Sequence, residues 1–269
     1  MDGRVLIVAG SDSGGGAGIQ ADIKAVTALG GFAMTAVTAL TAQNTQGVHG
    51  IFGVETSFIA QQMRVVLDDL GADSLKTGML HSVDVIETVV ATISDLDAEI
   101  PLVADPVMVA KGGAKLLDDS AHSALLSLLI PRASLLTPNA PEAAALTGVD
   151  VDDEDGQHRA GERLLEHGAG AALVKGGHIA GPEVVDLLVT PGETIRFADP
   201  RIETRHTHGT GCTLASAIAA GLAQGMALRD AVTRARSYVR KAIAAAPGYG
   251  QGHGPLDHGV TFDPGRLDS

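Results

Sequence analysis

Arg4-Val-Leu-Ile-Val-Ala-Gly-Ser-Asp-Ser-Gly-Gly-Gly-Ala-Gly18 is the stretch that decides the fold class. The unbroken apolar run Val5–Ala9 reads as a strand buried on both faces. A glycine-rich turn follows, then a helical stretch from about Ile19 to Leu29. Working outward, the same alternation recurs. Strand-type runs at Phe32–Leu40, Leu102–Asp105, Ser134–Thr137 and Ala171–Lys175 are interleaved with helical stretches near 56–70, 82–95, 119–130 and 157–168. Val184–Thr190 and Thr194–Ala198 flank Pro191-Gly192 as a hairpin, and two Ala-rich helices, 212–224 and 228–246, come last. Buried strands separated by helices imply an α/β protein, a three-layer α/β/α sandwich around a mostly parallel sheet. No linker composition interrupts it, so residues 1–269 are expected to form one domain. The acidic run Asp150–Asp155 reads as a solvated loop before a helix.

Composition narrows the function. The chain has 19 Lys and Arg against 32 Asp and Glu, a net charge of −13, which argues against nucleic-acid or anionic-membrane partners. A small phosphorylated ligand stays open, because helix N-termini bind phosphate without a basic surface. One Cys excludes an internal disulfide and a Cys-rich zinc site. No signal-peptide layout appears, and Leu214–Ala223 is far short of the ~20 residues that span a bilayer. A cytoplasmic enzyme or small-molecule binder is expected.

In open α/β sheets ligands gather at the carboxyl ends of the strands, and four polar clusters follow strand ends here. The Gly10–Gly18 loop fails the dinucleotide spacing, since Ile19 stands where a third Gly is needed, and no Lys-Ser/Thr follows as in a Walker loop. It suits close backbone approach to a small ligand. In Ala39-Leu-Thr-Ala-Gln-Asn-Thr45, the Gln43 amide offers a donor and an acceptor, the complement of an aminopyrimidine edge, or it serves loop backbone groups. Thr137-Pro-Asn-Ala-Pro-Glu142 reads as a capping box with Asn139 as N-cap and Glu142 at N3. The alternative is that Glu142, with Asp105, faces a hydrated Mg²⁺. In His206-Thr-His-Gly-Thr-Gly-Cys-Thr-Leu214, Gly209, Thr210 and Gly211 open a helix N-terminus as an anion site. Cys212 then sits where the helix dipole lowers a thiol pKa from about 8.5, unless it is an inert core residue. His206 and His208 lack a third metal ligand at convincing spacing and read as loop residues.

Together these clusters resemble the hydroxymethylpyrimidine and phosphomethylpyrimidine kinases of thiamine biosynthesis, a branch of the ribokinase-like superfamily. Residues 9–22 and 39–45 carry the resemblance, with Lys-Thr-Gly-Met-Leu (76–80), Asp-Pro-Val-Met (105–108), 137–143, Lys-Gly-Gly-His (175–178) and 207–214, all in order. It implies a ribokinase-like fold and ATP-dependent phosphorylation of an aminopyrimidine to its monophosphate and then its diphosphate. It places Gly10, Asp22, Gln43, Met79 and Val107 at the substrate, Asn139 and Glu142 with Mg²⁺ and phosphate, and Lys175 near the ATP phosphates. Gly209–Gly211 become the anion hole. The wider superfamily has Asp, the catalytic base, where this chain has Cys212, as in the pyrimidine kinase branch. Lys111 is the residue expected to close over the substrate monophosphate. The resemblance also implies a homodimer, and a chain ending at Ser269 is expected to lack a fused synthase domain. Two rival readings are a kinase of B6 vitamers and a non-catalytic pyrimidine-binding protein. Retention of the phosphate-handling residues argues against the second.

Overall fold

The computed structural model describes residues 1–96, 99–110, 113–114, 116–118 and 120–262. The apolar run after Arg4 forms β1 (Arg4–Asp12), with Val5, Leu6, Ile7 and Val8 fully buried. It leads through the glycine loop into α1 (Gly18–Ala28). Then come β2 (Phe32–Asn44), β3 (Gly47–Gly53), α2 (Thr56–Asp69), β4 (Ser74–Thr77), α3 (Val83–Ser94) and β5 (Leu102–Ala104). The middle of the chain supplies α4 (Ala121–Ala124), β6 (Leu135–Leu136), α5 (Ala140–Thr147), α6 (Glu154–Glu166) and β7 (Ala172–Val174). The hairpin β8 (Glu183–Val189) and β9 (Thr194–Pro200) precedes α7 (Thr210–Ala223) and α8 (Leu228–Ala244).

These strands make one nine-stranded sheet in the order β3-β2-β1-β4-β5-β6-β7-β8-β9. From β2 through β7 all neighbours are parallel, while β3 at one edge and the β8–β9 hairpin at the other run antiparallel. The alternating β1 side chains decide which helices cover which face. Leu6 and Val8 pack with Ile59 of α2, Ile86 of α3 and Leu164 of α6. Val5 and Ile7 pack with Val26 of α1, Ile218 of α7 and Val232 of α8. The three-layer sandwich and mostly parallel sheet follow from burying both faces.

Four local expectations need correction. Strand β2 continues past Leu40 to Asn44, because Ala39–Asn44 finds an antiparallel partner in β3. Neither β3 nor β4 reads as a strand in the sequence. The acidic run is not all loop: Asp153 is the N-cap of α6, its carboxylate accepting from Gly156 N, and Glu154 and Asp155 form the first turn, where carboxylates suit the helix dipole. Beyond α4 the stretch toward 130 winds through a π-turn, Leu125–Leu129, and a 3-10 turn, Ile130–Arg132, where Pro131 offers no N–H to continue an α-helix.

Candidate active site

The carboxyl ends of the parallel strands open onto one cavity of about 780 Å³. Each strand end contributes: Gly10 and Asp12 from β1, Thr41 and Gln43 from β2, Met79 beyond β4, Asp105 beyond β5, Asn139 and Glu142 beyond β6, and Lys175 beyond β7. The N-terminus of α7, with Gly209, Thr210, Gly211 and Cys212, lies against the same space, as does Val107. So the structure brings these sequence-selected residues together. Lys111 lies outside the described residues. Asp22 is fully buried behind the cavity, where its carboxylate accepts from Lys76 Nζ (2.8 and 2.9 Å) and from Ser216 Oγ (2.7 Å), and it does not reach the wall. Burial works to raise the Asp22 pKa, against the pull of the Lys76 ammonium.

One cluster, at the glycine loop, is built around Asp12. One carboxylate oxygen accepts from Gly14 N (2.8 Å); the other accepts from Gly16 N (3.1 Å), Ala17 N (2.8 Å) and His208 Nε2 (2.8 Å). Burial would raise its pKa, but His208 and the backbone donors outweigh that and hold it below the usual range. Asp12 is therefore an ionised anchor that folds the glycine loop. Gly16 is required by contact: a Cβ there would meet the His208 ring Cδ2 at 2.5 Å. One end of the Gln43 amide lies 3.1 Å from Thr41 Oγ1 and the other 3.4 Å from His208 Nε2. Met79 packs its sulfur over Gly10, where a Cβ would come within 3.1 Å. His208 lies in the loop before α7, and the sequence did not show that it is also the buried partner of Asp12, 196 residues away.

A second cluster is built around Asp105, buried just past β5. Its Oδ1 accepts from Lys175 Nζ (3.0 Å) and from Thr137 Oγ1 (3.1 Å). Burial lowers the lysine's proton affinity, but the Asp105 and Glu142 carboxylates more than restore it, so Lys175 stays charged. Asn139 and Glu142 do form the capping box: Glu142 accepts from Asn139 N (2.8 Å) and Asn139 accepts from Glu142 N (2.9 Å). Burial pushes the Glu142 carboxyl up to about 7, against the pull of Lys175.

Helix α7 begins on Gly209, at φ +82°, where a Cβ would collide with the Gly16 carbonyl oxygen. This left-handed residue lets the helix start against the glycine loop. The first-turn N–H groups of Gly211 and Cys212 have no acceptor within the helix. A Cβ on Gly211 would sit 3.3 Å from Lys175 Nζ and 3.5 Å from Asp105 Oδ2, so the lysine and its carboxylate partner stand against the first turn of α7. The Cys212 thiol is half-buried. The expected thiolate needs correction. Burial pushes the thiol up to about 12, and the neighbouring Asp22 and Asp105 carboxylates add to this, against the pull of Lys76. Among the described residues, no group of three or more His, Cys, Asp and Glu is arranged to hold a metal.

Solved structures assign the class first. A pyridoxal kinase of Bacillus subtilis, solved as an ADP complex, superposes with a TM-score of 0.89 at 34% identity, covering 97% of this chain and 98% of that one. A phosphomethylpyrimidine kinase of Clostridium difficile matches at TM-score 0.80 and 39% identity over 89% and 99% of the two chains. The protein is a ribokinase-like kinase of small molecules. The sequence profile of phosphomethylpyrimidine kinase matches residues 12–257, and the chain belongs to that family. A hydroxymethylpyrimidine/phosphomethylpyrimidine kinase of Streptomyces coelicolor is 50% identical over 95% of this chain and 94% of its own length. The thiamine biosynthesis bifunctional protein of Geobacter sulfurreducens is 51% identical over 95% of this chain, which spans 52% of that longer protein.

Proposed function

We propose that the protein phosphorylates 4-amino-5-hydroxymethyl-2-methylpyrimidine with ATP, and then phosphorylates the monophosphate to the diphosphate. The observation that carries this reading is one cavity lined both by an aminopyrimidine-matching amide, Gln43, and by the α7 N-terminus with Lys175. Gly10, Met79 and Val107 cover the ring, and Gln43 pairs with its amine and ring nitrogen. The N–H groups of the Gly209–Cys212 turn, with Lys175, neutralise charge on the transferring phosphoryl group. The substrate hydroxyl oxygen bonds to the γ-phosphorus as the bond to the β–γ bridging oxygen breaks, releasing ADP.

Phosphoryl transfer runs through a loose transition state and asks mainly for position and charge stabilisation. A Cys212 thiol that keeps its proton at neutral pH suits this: it orients the hydroxyl, whose proton passes late to an oxygen of the transferred phosphoryl group. Alkylation of the free enzyme by iodoacetamide should therefore be slow at pH 7 and accelerate about tenfold per pH unit beyond pH 9, because only the thiolate reacts. A rate that levels off near pH 7 would show a preformed thiolate. Cys212→Ala should lower kcat by about 10²-fold with little change in thermal midpoint.

A hydrated Mg²⁺ fits the donor set. Glu142, an oxygen ligand pushed toward protonation, and Asp105 are the carboxylates beside the anion site, and Mg²⁺ takes few such ligands when phosphates and waters supply the rest. When bound, the ion neutralises the ATP phosphates. Asn139 holds Glu142 in place through the capping box.

A homodimer accords with the apolar surface of the β2–β3 edge and α2, where Leu40, Ile51, Phe52 and Phe58 are exposed. Sedimentation as a monomer at micromolar concentration would overturn it. No helix among the described residues is long and apolar enough to cross a membrane, and a reaction fed by ATP accords with a cytoplasmic enzyme.

The kinase of B6 vitamers is the second reading, favoured by the high superposition on pyridoxal kinase. Mass spectrometry of a timed reaction with ATP and Mg²⁺ separates the two. The pyrimidine monophosphate should rise and give way to the diphosphate. A reaction that halts at the monophosphate, with pyridoxal phosphorylated efficiently, would favour the vitamin B6 kinase.

A further inference from the structure

The hydrogen count around Gln43 leaves its amide one orientation. Asp12 is ionised and can only accept, so its 2.8 Å contact with His208 Nε2 requires the proton on that nitrogen. An N–H cannot also accept from an amide NH₂, so the end of Gln43 that lies 3.4 Å from His208 Nε2 must be the oxygen. The other end gives the same answer independently. Thr41 has one hydroxyl proton, and the Ser11 carbonyl oxygen takes it at 2.9 Å. The Gln43 atom 3.1 Å from Thr41 Oγ1 must therefore be a donor. Turned this way, Gln43 donates one proton to Thr41, its oxygen rather than its NH₂ faces the His208 N–H whose single proton Asp12 already holds, and its second Nε2 proton is left free.

We infer that Asp12, His208 and Thr41 form a lock on the Gln43 amide, and that this lock makes the enzyme read a 4-amino rather than a 4-oxo pyrimidine. The ring is held from the far side by its hydroxymethyl group at Cys212, so it cannot turn over to suit a reversed amide. With the amide fixed, the free lone pair of Gln43 Oε1 accepts from the exocyclic amine and the second Nε2 proton reaches the ring nitrogen. A 4-oxo ring carries an acceptor and an N–H in those two places and meets like against like. The lock is itself braced: His208 N donates to Gly254 O (3.1 Å), and only glycine at position 16 leaves room for the imidazole. His208 and Thr41 are positioning residues here, acting on substrate through Gln43.

This inference rests on the pyrimidine kinase reading, and the test separates the two. Values of kcat/KM are measured for 4-amino-5-hydroxymethyl-2-methylpyrimidine and for its 4-oxo counterpart in wild type, His208→Leu, Thr41→Val and Gln43→Leu. Sites built to hydrogen-bond a substrate reject mismatched analogues by up to about 10⁴-fold. The amino-to-oxo ratio should fall by about tenfold or more in both His208→Leu and Thr41→Val, through KM rather than kcat, with the KM for ATP unchanged. A ratio within about twofold of wild type in either variant overturns the lock. If Gln43→Leu also keeps the wild-type ratio, the assignment of Gln43 to the pyrimidine fails with it. Neutron diffraction from the unsubstituted enzyme tests the geometry without any variant. Two deuterons on the amide end facing Thr41 are expected, and deuterons facing His208 would overturn the lock.

Discussion

In Gly209→Ala, kcat is expected to fall by about 10³-fold or more, since removing a single preorganised donor from an anion hole costs 10²–10³. The added methyl would strike the Gly16 carbonyl oxygen, in a backbone conformation (φ +82°) that L side chains rarely adopt. Relief requires α7 to retreat from the glycine loop, carrying the Gly211 and Cys212 N–H groups away from Lys175 together. Gly225→Ala is the control. That glycine has a similar φ of +78° but nothing within 4 Å of a Cβ, so it tests backbone strain alone and should leave kcat near wild type. Steady-state kinetics at saturating ATP decide the matter: a Gly209→Ala enzyme within tenfold of wild type would mean the α7 turn does not hold the transferring group.

The second large effect is on stability. Asp22→Ala should cost about 3–5 kcal/mol, the usual consequence of leaving a buried ion without its partner. Lys76 is fully buried, and Asp22 supplies both acceptors given for its ammonium. Replacing both residues together, as in Asp22→Leu with Lys76→Met, should recover most of that loss, because no uncompensated charge remains. Urea denaturation midpoints measure both. A single variant as stable as wild type would show that Lys76 finds another partner or loses its proton without cost.

Asp22 also shows where a sequence stops being legible. The alternation of apolar strands and amphipathic helices sufficed for the layers and for most of the strand ends, since those patterns are local. Strand β4 was hidden because its buried Lys76 breaks the apolar run, and a lysine is buried in a strand only when a carboxylate 54 positions away is there to meet it. Strand β3 was hidden for the opposite reason. Gly47-Val-His-Gly-Ile-Phe-Gly53 has a largely exposed backbone edge, three glycines and no buried face to impose alternation. In the site, motif order was enough to gather Gln43, Asn139, Glu142, Lys175 and the α7 turn. The thiol state of Cys212 was not, because position on a helix is local whereas the burial and carboxylates that outweigh it are tertiary. The pairing of His208 with Asp12 was hidden for the same reason; a signal existed only in the coincidence of a glycine at 16 with an aspartate at 12.

The Asp12–His208 contact joins the loop after the first strand to a residue near the far end of the chain, and His208 is steadied in turn by Gly254 and Pro255. A polypeptide that stops short of residue 254 holds every residue of the sheet, whose last strand ends at Pro200, but not the carbonyl that steadies His208. Pairings of such long sequence separation cost loop-closure entropy and slow folding. The brace on His208 is thus supplied by a stretch made after every strand, and a chain shortened before it should keep the sheet and lose the brace.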